Sequence, residues 1–251
     1  MSTSFAKTLL LPLTLALALA AGCGGSDGGG EPQDDAGTPP PEENLNPCLG
    51  PASVTHAADP FADRIVSFTP GAGAGFGQDL CPSVVLGSPE GTGTANGSLH
   101  VLSLGNGGSI VLEFTDTVAV NGPGVDFIVF ENAFARAGGG TFAEPGRVAV
   151  SEDGVTWSER SCAVSDEAGG YPGCAGVKPV FASSTNGVSA TDPDAAGGDA
   201  FDLDDFPSPP ARVRFVRITD SGVNSYLAPS GGFDLDAVAV VNGAPLTGPA
   251  P

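Results

Sequence analysis

From Cys48 onward, short runs of β-branched, aromatic and other apolar residues alternate with clusters of Gly, Pro, Asn and Asp. No window carries a sustained apolar period near 3.6, so the pattern predicts strands and turns rather than helices. The clearest runs cover residues 83–86, 99–104, 109–114, 125–131, 147–151, 212–219 and 234–241. Some 200 residues of this kind, about the size of one all-β domain, predict a single β-sandwich over 48–251. Within residues 125–130 only Asp126 is not apolar, the composition of a strand covered on both faces. In the 212–218 run, Arg212, Arg214 and Val216 share one face and Val213, Phe215 and Arg217 the other. The alternation breaks at Val216, which predicts a bulge or a change of environment there. Asp153-Gly154, between two β runs, predicts a tight hairpin, because Gly accepts a positive φ.

The apolar pattern at the start of the chain is of another kind. Residues 8–21 form an apolar run behind Lys7, too short to cross a bilayer core that needs about 20 apolar residues. It reads as a signal-peptide core. Leu19-Ala20-Ala21-Gly22-Cys23 closes it in the manner of a bacterial lipobox, although Ala20 stands where lipoproteins usually carry Leu. The expected organisation is therefore a lipoprotein signal peptide over 1–22, lipidation at Cys23, and an acidic Gly/Pro linker over 23–47. The alternative is an ordinary secretory leader in which Cys23 is incidental. Acylation at Cys23 would attach more than one chain, which stable anchoring requires. Gly24 replaces the Asp that typically retains such proteins in the inner membrane, so the expected location is the cell envelope, at the outer membrane or cell surface. Asp27, Glu31, Asp34, Asp35, Glu42 and Glu43, with no Lys or Arg among them, give the linker a composition unable to bury a core. As a flexible coil it would span roughly 27 Å.

Charge narrows the possible partners. The chain has 29 acidic and 9 basic residues, a net charge of −20. Nucleic acid is disfavoured, since its binding depends on cationic neutralisation of phosphate, and docking on anionic lipid is disfavoured for the same reason. Cations and neutral sugars suit such a surface. Apart from Cys23, the cysteines are Cys48, Cys81, Cys162 and Cys174, an even number that predicts two disulfides in an exported protein. Three pairings are open, of which Cys48–Cys81 and Cys162–Cys174 are preferred. A metal role for these cysteines is weak, as no C-x-x-C occurs.

Ser151-Glu152-Asp153-Gly154-Val155-Thr156-Trp157 resembles the S-x-D-G-x-x-W hairpin of discoidin-type, galactose-binding-like jelly rolls, and Arg214-Phe215-Val216-Arg217-Ile218 resembles the R-[YF]-V-R-I strand that follows it there. Leu86-Gly87-Ser88-Pro89, residues 103–112, residues 121–132 and residues 231–238 together resemble a family of uncharacterised bacterial cell-surface proteins that often end in a PEP-CTERM sorting tag. The resemblance implies a jelly-roll-like β-sandwich and a surface location. It implies no activity. Here the lipid at Cys23 is expected to replace the sorting tag.

Candidate chemistry lies in the carboxylates. Asp192, Asp194, Asp199, Asp202, Asp204 and Asp205 cluster, and Asp234 and Asp236 fall two apart at the start of the last run, hence on one face. Hard oxygen ligands suit Ca²⁺. A helix-loop-helix calcium loop starting at Asp192 is rejected, because its fifth position is Ala196 and its twelfth Leu203. The expected site is assembled from distant segments: Glu131, Asp199, Asp202, Asp234 and Asp236. The competing reading is that these acids cap turns and face water. Trp157, the only tryptophan, is either an inter-sheet plug or a sugar-stacking platform, with Tyr171, Tyr226, Phe76, Phe134 and Phe142 as further aromatic candidates. His56 and His100 are the only imidazoles, and no G-x-S-x-G or H-E-x-x-H occurs. The expectation is a non-catalytic binding module, stabilised by Ca²⁺ and contacting glycan or matrix. Its alternatives are a structural or adhesive envelope protein making protein–protein contacts only, and a hydrolase using paired carboxylates.

Mass spectrometry of the mature protein should find a diacylglyceryl-modified Cys23 at the new N-terminus, and Cys23→Ser should move the protein from the detergent phase to the aqueous phase. An unmodified thiol at Cys23 would overturn the anchor.

Overall fold

The computed structural model describes residues 48–55, 58–223, 228–229 and 231–246. Cys23, the leader and the linker lie outside the described residues, as do His56 and Tyr226. The described chain is an antiparallel all-β sandwich in which no residue is α-helical. Its largest sheet orders six strands as Ala52–Ser53, Arg64–Thr69, Ser109–Glu113, Phe215–Asp220, Gly146–Ser151 and Ser158–Glu159. A three-stranded sheet places Phe127–Phe130 between Asp199–Phe201 and Ala237–Val240. A second places Thr117–Val120 between Arg212–Val213 and Gly243–Pro245. Two short ladders, Leu102–Ser103 with Asp234–Leu235 and Phe134–Ala135 with Thr141–Phe142, complete the pairing.

The apolar run around residue 128 is covered on both faces, and the period of two divides it cleanly. Phe127 and Val129 join the main core with Ile65, Ile110, Leu112, Val148, Val150, Val216 and Ile218 of the six-stranded sheet. Ile128 and Phe130 point the other way, into a second cluster with Ala237, Ala239, Val180, Ala182, Ala190 and Ala196. The irregular segment around residues 180–196 thus replaces a second layer of strands on that face. Gly198, at φ 70°, lets this segment close on the sheet: a Cβ there would fall 2.6 Å from the Phe130 ring.

Three local expectations are corrected. Residues 83–86 are buried and apolar at Val84, Val85 and Leu86, but they form a turn, with Val84 N–H donating to Leu80 and Val85 N–H to Pro82. The Cys48–Cys81 disulfide (Cα–Cα 5.4 Å) holds the chain at the start of this turn, and burial there comes without a partner strand. The break in the 212–218 alternation falls at Arg214 rather than Val216, because the chain leaves one sheet after Val213 and enters the six-stranded sheet at Phe215. The hairpin at Asp153-Gly154 is present, with Gly154 at φ 72°, but 152–157 form a wider connection instead of a tight two-residue turn. The second disulfide joins Cys162 to Cys174 (Cα–Cα 4.7 Å), so both preferred pairings are present.

Arg214 is buried because its guanidinium meets Glu113, itself 1% exposed, through Nε at 2.8 Å and Nη2 at 2.5 Å. Arg64 reaches the other oxygen of the same carboxylate. Breaking one side of a buried pair leaves a charge without its partner, at a cost of about 3–5 kcal/mol. Arg214→Ala should accordingly lower the urea-unfolding free energy by about 3 kcal/mol, at the lower end of that range because Arg64 remains. The double change Glu113→Leu/Arg214→Met should cost distinctly less.

Candidate functional site

Two places combine chemistry with shape. The first is an open cleft of about 430 Å³ between the 152–158 hairpin and the 207–210 loop, lined by Glu152, Asp153, Thr156, Trp157, Ser158, Pro207, Ser208 and Pro210. Its walls are fixed locally. Asp153 Oδ1 accepts the amides of Val155 (2.8 Å) and Thr156 (2.7 Å), and these hydrogen bonds hold its carboxyl down at about 2, so it is charged at any physiological pH. Ser158 Oγ donates to the Pro207 carbonyl at 2.5 Å, tying hairpin to loop. Ser208 sits at φ 52°, a left-handed conformation uncommon for a residue with a Cβ. Trp157 is half-buried and lines the cleft, so it is not an inter-sheet plug. The Arg217 guanidinium lies 4.5 Å from the centre of its ring and 3.6 Å from Glu159. One indole face therefore has a partner already.

The other aromatic candidates are spread elsewhere. Phe134 and Phe142 stack on each other at 4.7 Å across their short hairpin, and Phe76 and Tyr171 are half-buried in separate loops. None of them lines the Trp157 cleft.

The second place is a set of buried acids. Among the described residues, no three His, Cys, Asp or Glu side chains form a group able to hold a metal. The five residues expected to do so separate by role. Asp202 caps the Leu203–Asp205 turn by accepting the Asp204 amide at 2.9 Å. Asp236, 1% exposed, accepts the Glu90 amide through both oxygens (3.1 and 2.9 Å) and faces His100 Nδ1 at 3.7 Å. Burial raises the Asp236 pKa, while the carboxylate raises that of His100. Asp199 accepts the amides of Val177 (2.8 Å) and Lys178 (3.4 Å), and burial pushes it up to about 6. Only Glu131 and Asp234 adjoin: the Asp234 amide donates to Glu131 Oε1 at 3.3 Å. Burial holds Glu131 well above the usual carboxylate range, and the charges of Asp234 and Glu144 add to the effect.

Most of the acidic cluster at 192–205 thus does the work of turn caps and surface pairs. Asp192 accepts the Asp194 amide, Asp204 accepts from Asn121 Nδ2 and Asp205 meets Arg160. Sequence reasoning passed over Asn132 and Glu144, which lie near Glu131 in sequence or space, and Asp126. A lone carboxylate in the apolar run at 125–130 was the available signal for Asp126.

No protein-family model matches the chain, and no curated protein matches it.

The Asp199 shift sets a pH dependence. A carboxyl whose folded pKa is raised destabilises the fold above that pKa, and stability returns as pH falls through about 6 toward the ordinary 3.8. That interval corresponds to about 3 kcal/mol. Asp199→Asn, whose amide oxygen can still accept from Val177, should raise stability at pH 7.5 and flatten the rise between pH 6 and 4 in chemical-denaturation curves.

Proposed function

We propose that this chain is a non-catalytic contact module of the bacterial cell surface, held to the outer membrane by a lipid at Cys23, in which a jelly-roll-like β-sandwich presents the Trp157 cleft to a saccharide. The observation that carries the reading is the cleft itself. An aromatic ring, two prolines and a row of hydroxyl and carboxylate oxygens line one opening of about 430 Å³, within the range of small-molecule sites. A sugar offers a C–H face for the ring and hydroxyl donors for Glu152, Asp153 and Thr156. Arg217 covers one face of the indole, and Trp157 still lines the cleft.

Catalysis fits this cleft poorly. Glycoside hydrolysis needs one carboxyl kept protonated to act as general acid, whereas Asp153 is driven the other way by the Val155 and Thr156 amides. A surface so rich in acids also suits a neutral ligand better than a phosphorylated one.

On a glycan array the detergent-solubilised mature protein should bind a limited set of neutral sugars. Trp157→Ala should weaken that binding at least tenfold, about 1.4 kcal/mol, while leaving the melting temperature within a few degrees of wild type. No sugar bound at millimolar concentration, or equal binding by Trp157→Ala, would instead favour an envelope protein that makes protein–protein contacts only.

A further inference from the structure

We infer that Glu131, Asn132 and Asp234 form a binding site for a calcium-sized hard divalent cation, a smaller site than the five-acid set the sequence suggested and one independent of any saccharide in the Trp157 cleft. Three buried oxygens here, Glu131 Oε2, Asn132 Oδ1 and Asp234 Oδ1, have no hydrogen-bond partner. Glu131 is 2% exposed and Asp234 8% exposed, so bulk solvent does not reach them. Burial raises the Asp234 pKa, Ser103 and Asn132 act against it, and Oδ1 still has no hydrogen-bond partner. A buried polar oxygen without a partner is costly, and two carboxylate oxygens and an amide oxygen left so at one place point to a missing positive partner.

Among the described residues, no ion pair brings such a charge to Glu131 or Asp234. Among the described residues, the guanidinium groups of Arg64 and Arg214 are held by Glu113, Arg136 by Glu167, Arg160 by Asp205 and Arg217 by Glu159. None of these salt bridges reaches Glu131 or Asp234. The groups whose charge Glu131 feels are Asp234, Glu144 and Asp199, all negative.

Shape agrees with charge. Glu131 and Asn132 line a cavity of about 10 Å³, room for one water-sized body, whose remaining wall includes Thr92, Asn96 and Ser98. Hydroxyl and amide oxygens beside the Glu131 carboxylate, with Asp234 adjoining Glu131 from outside this lining, are hard donors of the kind Ca²⁺ takes. Glycine at 97 admits the Asn132 head: a Cβ there would fall 2.5 Å from Oδ1. Loops 91–98 and 131–133 and the strand Asp234–Leu235 would then be joined through one ion.

The test uses mature protein stripped with EDTA and melted in CaCl₂, with MgCl₂ and NaCl matched for ionic strength, since a chain of charge −20 gains stability from salt alone. Ca²⁺ at 1–10 mM should raise the melting temperature saturably by about 5 °C beyond the matched salts. Glu131→Gln and Asp234→Asn should abolish that increment, and Asp202→Asn should keep it. Equilibrium dialysis of wild-type protein should find one high-affinity Ca²⁺ per chain, a readout that holds even where a variant fails to fold. An equal rise in MgCl₂, an increment retained by Glu131→Gln, or no bound ion on dialysis would overturn the proposal and leave a water or a proton in the cavity.

Discussion

The fold depends on buried carboxylates that accept backbone amides from distant parts of the chain. Asp126 takes the amides of Gly122 and Leu203, each at 2.8 Å, and Asn242 Nδ2 at 2.9 Å, so one side chain joins a strand entry, the Leu203–Asp205 turn and the end of the last core strand. Asp220 takes the amides of Gly107 (2.7 Å), Gly222 (2.8 Å) and Phe233 (2.9 Å). Asp63 takes Thr115, Asp236 takes Glu90 and Asp199 takes Val177. Hydrogen bonds to a charged acceptor contribute about 1.5–3 kcal/mol each, and at Asp63, Asp199 and Asp236 they offset only part of the cost of burial, which still raises the pKa. Such clamps demand close backbone approach. Gly232, at φ 74°, would carry a Cβ 2.7 Å from Gly105 and 2.9 Å from Asp220 Oδ2, so any other residue there would spread the clamp.

This device answers a compositional constraint. With 29 acids and 9 bases, most buried carboxylates cannot be paired with a guanidinium, and backbone N–H groups are the donors a loop-rich sandwich has in surplus. Glu113 is the case handled by cations, and it takes two of them, Arg64 and Arg214. The clamped aspartates engage their oxygens with amides one to three at a time. Glu131 and Asp234 depart from both solutions, each keeping an oxygen without a hydrogen-bond partner among the described residues. Asp116 keeps one such oxygen as well, but only at Glu131, Asn132 and Asp234 do three of them fall together.

How far the sequence revealed this differs from element to element. Periodicity located the strand at 127–130 and its double burial, because side-chain alternation and the two clusters are the same fact seen twice. Apolar character reports burial, however, and pairing is decided elsewhere, which is why Val84, Val85 and Leu86 are core residues in a turn. The disruption near Val216 was visible as a broken alternation, but its place depended on where the chain changes sheets, at Arg214, whose partner Glu113 lies 101 positions away. Carboxylates were the hardest to sort. An Asp that caps its own turn, one that clamps a distant loop and one left without a partner carry no distinguishing mark in sequence, and only the direction of each oxygen separates them. Asn132 carried no signal at all, since an amide next to a glutamate is unremarked until both are seen to face one cavity.

The clamps also bear on how the Trp157 cleft can act. A ligand that stacks on a ring and bonds to loop oxygens loses affinity for every side chain it must immobilise, at about 0.5–1.5 kcal/mol each. Here much of that ordering is done by the fold: Asp153 is held by two amides, Ser158 by the Pro207 carbonyl and Trp157 by Arg217 from the Phe215–Asp220 strand inside the six-stranded sheet. Arg160, two residues after Ser158, bonds Asp205 and lies over the Phe201 ring, extending the tie between the hairpin and the segment that leads into the 207–210 loop. A cleft so supported keeps its shape without a ligand. Preordering of this kind lowers the entropic cost that any ligand of the cleft would meet.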